Sequence, residues 1–113
     1  MPRNRPSFDR LAALDRTIHE PARLAILTVL SACQSAQFRY LQAITGLTQG
    51  NLSMHLNKLE ERGLIEIEKS FSGKYPSTSV HLTDVGRKAV ARHWQQLEDL
   101  KDAARDLPDQ KSA

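Results

Sequence analysis

The sequence predicts a single, mostly helical domain that carries one small β-hairpin. Apolar residues recur at helical spacing through most of the chain, whereas two short stretches at 65–68 and 79–82 alternate apolar and polar residues instead. Proline, glycine and threonine stand where the helices would begin and end. With 113 residues, the chain is long enough for one core and too short for two. We expect the domain at residues 8–107, between a flexible N-terminus at 1–7 and a flexible tail at 108–113.

Two helices are predicted in the first third of the chain. The first covers about residues 8–18, is capped by Ser7 and has one apolar stripe. Its members are Phe8, Leu11, Leu14 and Ile18. The Glu20-Pro21 step then favours a break, followed by a proline in the first turn of a second helix at about 21–33. This second helix is apolar on almost every side, so we expect it at the centre of the core.

The sequence at residues 31–62 predicts a helix-turn-helix. A loop at 31–38, which leaves open a short strand at Phe38, leads into a third helix at about 39–45. Gly46 can form the left-handed C-cap of that helix, and Thr48 can form the N-cap of a fourth helix at about 48–62. Two helices joined by a turn of three or four residues that contains glycine are typical of this motif.

A hairpin and a long helix complete the prediction. Ile65 and Ile67 alternate with acidic residues, and Val80 and Leu82 alternate with polar ones, which indicates two strands within about 64–83 joined by a loop at 71–77. The last helix covers about 84–107. Its apolar residues repeat at intervals of seven, so this helix needs a partner.

One side of the fourth helix has an unusual composition. Leu52, Leu56 and Leu59 fall within about 60° of one another and should face the core. The opposite arc and its edges carry neutral or cationic groups only: Gln49, Gly50, Asn51, Ser53, Met54, His55, Asn57 and Lys58. Base edges offer partners to such side chains, while phosphates repel carboxylates. We therefore expect the N-terminal part of this helix to enter the major groove of DNA; the alternative is an ordinary polar surface.

The charge distribution supports an anionic partner. The net charge is only +3, but the chain has no carboxylate at 21–59 or at 69–83. Other classes of function lack a matching motif. A single cysteine, Cys33, allows neither an internal disulfide nor a paired-cysteine metal site, and we expect no metal, no cofactor and no enzyme activity. The sequence has no membrane span or signal peptide, so we expect a cytoplasmic protein.

Several motifs together resemble the winged helix-turn-helix transcriptional regulators of the ArsR and MarR type, in particular the small single-domain winged helix DNA-binding group. They are PARLAIL at 21–27, FRYL at 38–41, GLTQGNLSMHL at 46–56, LEERGLI at 59–65 and LTDVGRKA at 82–89. The resemblance implies a homodimeric regulator that binds double-stranded DNA. We expect a repressor, because no part of the sequence suggests an activation surface. It also allows a small-molecule effector. The rival hypothesis is a winged helix that binds protein instead of DNA.

The site residues follow from the polar arc, the basic hairpin and the resemblance. The expected DNA contacts are Arg39, Thr48, Gln49, Asn51, Ser53, Met54, His55, Asn57, Lys58, Lys69, Lys74 and Tyr75. The resemblance places the dimer interface on the first and last helices. Its expected residues are Leu11, Leu14, Ile18, Val90, His93, Trp94, Leu97, Leu100, Ala104 and Leu107. Two other positions are open to Trp94: packing against the first helix, which the lack of accompanying polar specificity groups favours, or a small-molecule cleft between the dimer arm and the DNA-binding core.

Overall fold

A computed structural model describes residues 13–110, and the fold class expected from the sequence is confirmed. Four helices surround a small antiparallel sheet. In chain order the elements are α1 (Pro21–Ser31), β1 (Ala36–Gln37), α2 (Phe38–Thr45), α3 (Gln49–Glu61), β2 (Ile65–Ser72), β3 (Tyr75–Leu82) and α4 (Asp84–Arg105). Within the described residues, no helix is long and apolar enough to cross a membrane.

The prediction of a first helix at about 8–18 is wrong for the residues of that range that the structure describes. Residues 8–12 lie outside the described part of the chain, and residues 14–18 form a bend and turns. The carboxylate of Asp15 accepts a hydrogen bond from the Thr17 N–H at 2.8 Å, and the Asp15 carbonyl accepts from Ile18 and His19. A short polar side chain that satisfies nearby backbone donors in this way competes with helix formation.

Helix α1 begins as expected, with Pro21 in its first turn. Glu20 is its N-cap, and the Glu20 carboxylate accepts a hydrogen bond from the Arg23 N–H at 2.8 Å. Partial burial raises the pKa of this carboxyl group, but the hydrogen bonds from the Arg23 and Ala22 N–H groups and the nearby His55 and Arg23 side chains together outweigh that effect. They hold the pKa of Glu20 below its ordinary value. The helix ends at Ser31, two residues earlier than predicted.

The sheet has three strands in the order β1-β3-β2, one more than the predicted hairpin. Strand β1 lies in the predicted loop and pairs Ala36 with Val80 of β3, and Phe38 begins α2 rather than joining a strand. The β2-β3 hairpin is also longer than expected, because its ladder continues to the Ser72–Tyr75 pair. The connection is therefore the short Gly73-Lys74 turn, where Gly73 adopts a positive φ of 67°.

The core lies between the helices and the inner face of the sheet. Leu52, Leu56 and Leu59 are buried, as the periodicity of α3 predicted. They pack within one cluster of mostly aliphatic side chains: Ile18, Ile26, Leu27, Leu30, Ala36, Leu41, Leu64, Ile65, Val80, Leu82 and Val90. Burial of these residues fixes which side of α3 remains exposed.

Candidate nucleic-acid interface

The turn and caps around α3 position its polar side. Gly46 ends α2 in the left-handed conformation with φ of 72°, and its N–H donates to the Gln42 carbonyl. Two residues later, the Thr48 hydroxyl accepts a hydrogen bond from the Asn51 N–H at 3.2 Å. The predicted helix-turn-helix is therefore present, and the tight turn holds the N-terminus of α3 at the surface.

The polar arc of α3 lies largely in solvent. Its exposed members are Gln49, Gly50, Asn51, Met54, Asn57 and Lys58, and the N-cap Thr48 is exposed as well. Ser53 is half-buried, because it turns toward the β2-β3 hairpin. No carboxylate occurs on α3 before Glu60. This surface can approach a polyanion without local charge repulsion.

His55 does not belong to this exposed face. At 100° per residue it lies only about 40° from Leu59, which is buried, and its side chain is 8% exposed. Its Nδ1 atom lies 3.1 Å from a guanidinium nitrogen of Arg23 on α1. Since that contact orients the ring inward, the expectation that His55 contacts DNA is corrected: its role in this structure is to join α3 to α1.

Two adjoining clefts separate α3 and α2 from the β2-β3 hairpin, which we call the wing. The smaller, with a volume of about 300 Å³, is lined by Phe38, Gln49, Ser53, Leu56, Asn57, Ile67, Lys69 and Thr78. The larger, of about 700 Å³, is lined by Gln37, Phe38, Arg39, Gln42, Gln49, Ser72, Tyr75, Pro76, Ser77 and Thr78. Gln49 belongs to both clefts, so they form one continuous concave surface. None of these lining residues is acidic.

Apart from the N-cap Thr48 and the inward-facing His55, the predicted DNA-contacting residues fall into three groups. The clefts bring together Arg39, Gln49, Ser53, Asn57, Lys69 and Tyr75. Asn51, Met54 and Lys58 lie on the outer, exposed side of α3. Lys74 lies apart from both, in the turn at the tip of the wing, where it is exposed.

Sequence reasoning missed the apolar part of this surface. Phe38 lines both clefts, and Phe71 is 74% exposed near the wing tip. A signal for Phe71 was present, because Ile65, Ile67, Lys69 and Phe71 continue one period-two series along β2. The prediction of a loop at 71–77 interrupted that series.

Four residues expected at a dimer interface are already buried within a single chain. Leu14, Ile18, Val90 and His93 are at most 6% exposed because the segment at 13–20 packs against α4. These four residues are therefore corrected to intrachain packing. Leu11 lies outside the described residues.

The remaining expected interface residues differ from these four. Trp94 is 45% exposed, Leu107 and Ala104 are exposed, and Leu97 and Leu100 are half-buried. The second half of α4 thus presents an apolar stripe that residues 13–110 do not cover.

His93 is the most unusual polar group near α4. Its Nε2 atom lies 3.2 Å from Nδ1 of His19. Its own Nδ1 is buried and has no hydrogen-bond partner among residues 13–110. Burial lowers the pKa of His93, the neighbouring His19 lowers it further, and Asp15 opposes both effects. Within residues 13–110, no three His, Cys, Asp or Glu side chains come together as a metal-ion site.

Comparison with known proteins agrees with this geometry. The family model described as "Winged helix DNA-binding domain" matches residues 22–100. MJ0432, a protein of Methanocaldococcus jannaschii, is 36% identical over 78 residues, which cover 69% of this chain and 85% of that protein.

Two solved structures have the same fold. A transcriptional regulator homologue protein from Pyrococcus horikoshii OT3 matches with a TM-score of 0.80 and 30% identity, over 88% of this chain and 100% of that chain. The transcriptional repressor CouR, bound to a 23-mer DNA duplex, matches with a TM-score of 0.63 and 24% identity, over 86% of this chain and 73% of that one. The second similarity shows the fold alone. The resemblance noted from the sequence is confirmed: the chain belongs to the winged helix DNA-binding domain family of transcriptional regulators.

Proposed function

We propose that this protein is a homodimeric transcriptional repressor that reads sequence in double-stranded DNA through α3. The observation that carries the proposal is the exposed, acid-free side of α3, which borders the same concave surface as the wing. Gln49, Ser53 and Asn57 lie along one edge of the helix and offer hydroxyl and amide groups to base edges in the major groove.

The cations around this surface supply attraction that does not depend on sequence. Arg39 and Lys69 line the clefts, Lys58 lies on the outer side of α3, and Lys74 occupies the wing tip. Each lysine or arginine that neutralises a phosphate releases counterions from the duplex. Binding should therefore weaken steeply as salt concentration rises.

The apolar stripe on the second half of α4 supports a dimer. From Trp94 to Arg105 no residue of this helix is buried in the single chain, although Trp94, Leu97 and Leu100 are apolar. An isologous pairing of two α4 helices would cover the stripe and place two copies of α3 on one face of the dimer. Half-sites would then lie about 34–36 Å apart, one helical turn of DNA.

Repression and location are the remaining parts of the proposal. A dimer on a promoter would exclude polymerase, as expected for a small repressor, and the protein would act in the cytoplasm together with the DNA. The CouR–DNA complex supports a DNA-binding role because it has the same fold. A small-molecule effector remains part of the expectation from the sequence.

The proposal is tested by selecting bound fragments from genomic DNA and measuring affinity for the selected sequence and for random duplexes across a salt series. Ser53→Ala and Asn57→Ala should each weaken binding to the selected sequence by about 1–3 kcal/mol while leaving random DNA unchanged. Lys58→Gln and Lys74→Gln should weaken both and reduce the salt slope by about one each.

Gln95→Ala is the matched control, since Gln95 is exposed on α4 and donates to Asp99, away from the concave surface. Equal losses on selected and random DNA for the Ser53 and Asn57 variants would contradict base reading by α3. If the protein binds no duplex at low salt, DNA binding itself is contradicted and the hypothesis of a protein-binding winged helix is favoured.

A further inference from the structure

Two histidine rings meet where the segment at 13–20 packs against α4. Nδ1 of His19 lies 3.2 Å from Nε2 of His93, and the ring centroids are 5.1 Å apart. The two residues are 74 positions apart in the chain, so their contact joins distant parts of the fold. His93 is 1% exposed, whereas His19 is exposed. The contact therefore has one ring in the interior and one at the surface.

The His19–His93 contact depends on how many protons the two rings carry. A neutral imidazole has one N–H donor and one acceptor nitrogen, so one ring can donate a hydrogen bond to the other. Once both rings are protonated, every ring nitrogen is a donor, and two N–H groups face each other. Acid therefore replaces a hydrogen bond by a repulsion between two cations.

Rotation of the exposed His19 side chain would relieve this repulsion but would leave a charged His93 without solvation. Nδ1 of His93 is buried and has no hydrogen-bond partner among residues 13–110. A buried charge without a partner is costly, and burial is the largest effect that lowers the pKa of His93. The segment at 13–20 lies beside this ring, because Asp15 and Ile18 line the same cleft as His93. Displacement of the segment would admit water to the ring and relieve both costs.

The surroundings offer little compensation for a charge on His93. The cleft beside the ring has a volume of about 440 Å³, and its charged or titratable lining residues are Asp15, Lys88, Arg92 and His93 itself. Asp15 favours a proton on His93, but both of its carboxylate oxygens are engaged. One accepts from the Thr17 N–H and the other from Arg62. Two cations and an engaged carboxylate therefore surround the ring.

The other elements that pack against α4 carry charges with partners of their own. Arg23 of α1 donates to the Thr17 carbonyl, and its backbone N–H donates to the Glu20 carboxylate. His81 of β3 lies 3.7 Å from a carboxylate oxygen of Glu66. The charges that act on His93 are those of its neighbours in the segment at 13–20: the charge of His19 opposes its protonation, and that of Asp15 favours it.

Movement of the segment at 13–20 would be transmitted to α3. Arg62, the C-cap of α3, donates to the Thr17 hydroxyl at 2.7 Å and to the Asp15 carboxylate at 3.1 Å. Arg23 joins the Thr17 carbonyl to the His55 ring of α3. The segment is thus held to α3 through two arginines and to α4 through the His19–His93 contact. Its displacement would change the orientation of one helix relative to the other.

We propose, on the basis of the proposed function, that the His19–His93 contact is a pH-sensitive switch that weakens binding to the selected sequence in acid. At neutral pH the contact holds α3 and α4 in the orientation that matches two half-sites. When both rings are protonated, the segment moves and the two copies of α3 no longer fit both half-sites. Attraction to phosphates does not need that orientation, and added positive charge strengthens it. Acid should therefore weaken binding to the selected sequence but not to random DNA.

The test measures the affinity of the intact protein for the selected sequence and for a random duplex, at constant salt, between about pH 7.5 and about pH 5. Affinity for the selected sequence should fall by about ten-fold in acid, while affinity for the random duplex stays constant or rises. Circular dichroism should show unchanged helix content, because the switch moves one segment without unfolding the domain.

The emission of Trp94 gives a second readout that does not involve DNA. Trp94 is the single tryptophan of the chain, and its ring centroid lies 6.2 Å from that of His93. A protonated imidazole quenches indole emission more strongly than a neutral one. The emission of the wild-type protein should therefore fall over the same pH interval as its affinity for the selected sequence.

Two variants separate His93 from other histidines. His93→Gln keeps a polar side chain but cannot be protonated, so it should retain its neutral-pH affinity for the selected sequence in acid and lose the change in Trp94 emission. His81→Gln is the matched control, since it removes another half-buried histidine, beside Glu66 in the β2-β3 hairpin. It should keep the wild-type response to pH.

The outcomes distinguish this inference from the proposed function. A wild-type protein with equal affinity for the selected sequence at both ends of the pH range overturns the inference alone. So does a His93→Gln variant that keeps the response, a His81→Gln variant that loses it, or a loss of helix content over the same range. If His93→Gln does not fold, wild-type emission and affinity that change at different pH values overturn it. A wild-type protein that binds no duplex at neutral pH overturns the proposed function and this inference together.

Discussion

Two glycines in helices should respond to the same substitution with opposite signs. Gly86 lies in the first turn of α4 and is buried, and a Cβ atom built there would overlap the carbonyl oxygen of Leu64 and lie 2.9 Å from its carbonyl carbon. Gly50 lies in the first turn of α3 and is exposed, and a Cβ atom there would meet nothing within 4 Å. Comparing Gly86→Ala with Gly50→Ala therefore isolates packing from helix propensity.

The loss of stability expected for Gly86→Ala depends on which group must move to make room for the Cβ atom. The overlapped group is backbone, so no side-chain rotation can relieve it, and Leu64 also accepts the Thr83 N–H at 3.1 Å just before α4. Separating the two segments combines an overpacking cost of about 1–3 kcal/mol with a weakened hydrogen bond worth about 1 kcal/mol. The higher helix propensity of alanine relative to glycine offsets at most about 1 kcal/mol of this cost. We expect a net loss of about 2 kcal/mol for Gly86→Ala.

At Gly50 only the propensity term remains. Gly50→Ala should raise the free energy of unfolding by a few tenths to about 1 kcal/mol. Both variants are measured by urea denaturation followed by circular dichroism, where 2 kcal/mol lowers the midpoint by about 1 M. A Gly86→Ala variant at least as stable as Gly50→Ala would refute the close contact between α4 and Leu64.

Three further predictions concern α1, α4 and their contacts. Arg23→Ala should lower the free energy of unfolding, measured in urea, by about 2–3 kcal/mol, because it leaves the buried His55 Nδ1 and the Thr17 carbonyl without their donor. Replacing the exposed Arg39 by alanine should change it by less than about 0.5 kcal/mol. Equal effects of the two substitutions would contradict the structural role of Arg23. Because the folded state depresses the pKa of His93, its contribution to stability should be constant above the ordinary pKa of 6.5 and fall as pH drops below that value. His93→Gln should flatten the measured profile in this range, and an unchanged slope would contradict the assignment. Leu100→Asp should lower the mass measured by sedimentation from that of a dimer to that of a monomer. Gln95→Glu adds the same charge to another side of α4 and should leave the mass unchanged. A wild-type protein that sediments as a monomer at all concentrations would contradict the proposed dimer.

The helix-turn-helix could be predicted because its signals are local. Gly46 and Thr48 end and begin helices through their own backbone preference and side-chain hydrogen bond, and Gly63 follows α3 with φ of 72°. The leucine spacing of α3 fixes its buried side, and the polar side follows by exclusion. The central part of the candidate interface was therefore accessible from residues 46–63 alone.

The parts that were missed depend on contacts between distant residues. Strand β1 has only two residues and exists because β3 offers a free edge to Ala36. His55 turns inward because of Arg23, which is 32 residues earlier in the chain. No local pattern marks the pairing of β1, which left Ala36 in a loop. For His55 the helical spacing of about 40° from Leu59 was a local sign of burial, but the identity of its partner Arg23 was not readable from the sequence.

The segment at 15–20 shows how these distant contacts bear on function. Arg62, at the C-terminal end of α3, donates to the Asp15 carboxylate at 3.1 Å and to the Thr17 hydroxyl at 2.7 Å. His19, at the other end of this segment, meets His93 of α4 at 3.2 Å. The segment thus contacts both the helix proposed to read DNA and the helix proposed to join two copies. The proposed dimer could match two half-sites only if these helices kept a fixed mutual orientation. In that dimer, residues that touch neither DNA nor the partner would help to set the half-site spacing. The Arg62–Asp15 pair is largely exposed and contributes little to stability. Its value to the protein would lie in that orientation, which measurements of unfolding alone would not detect.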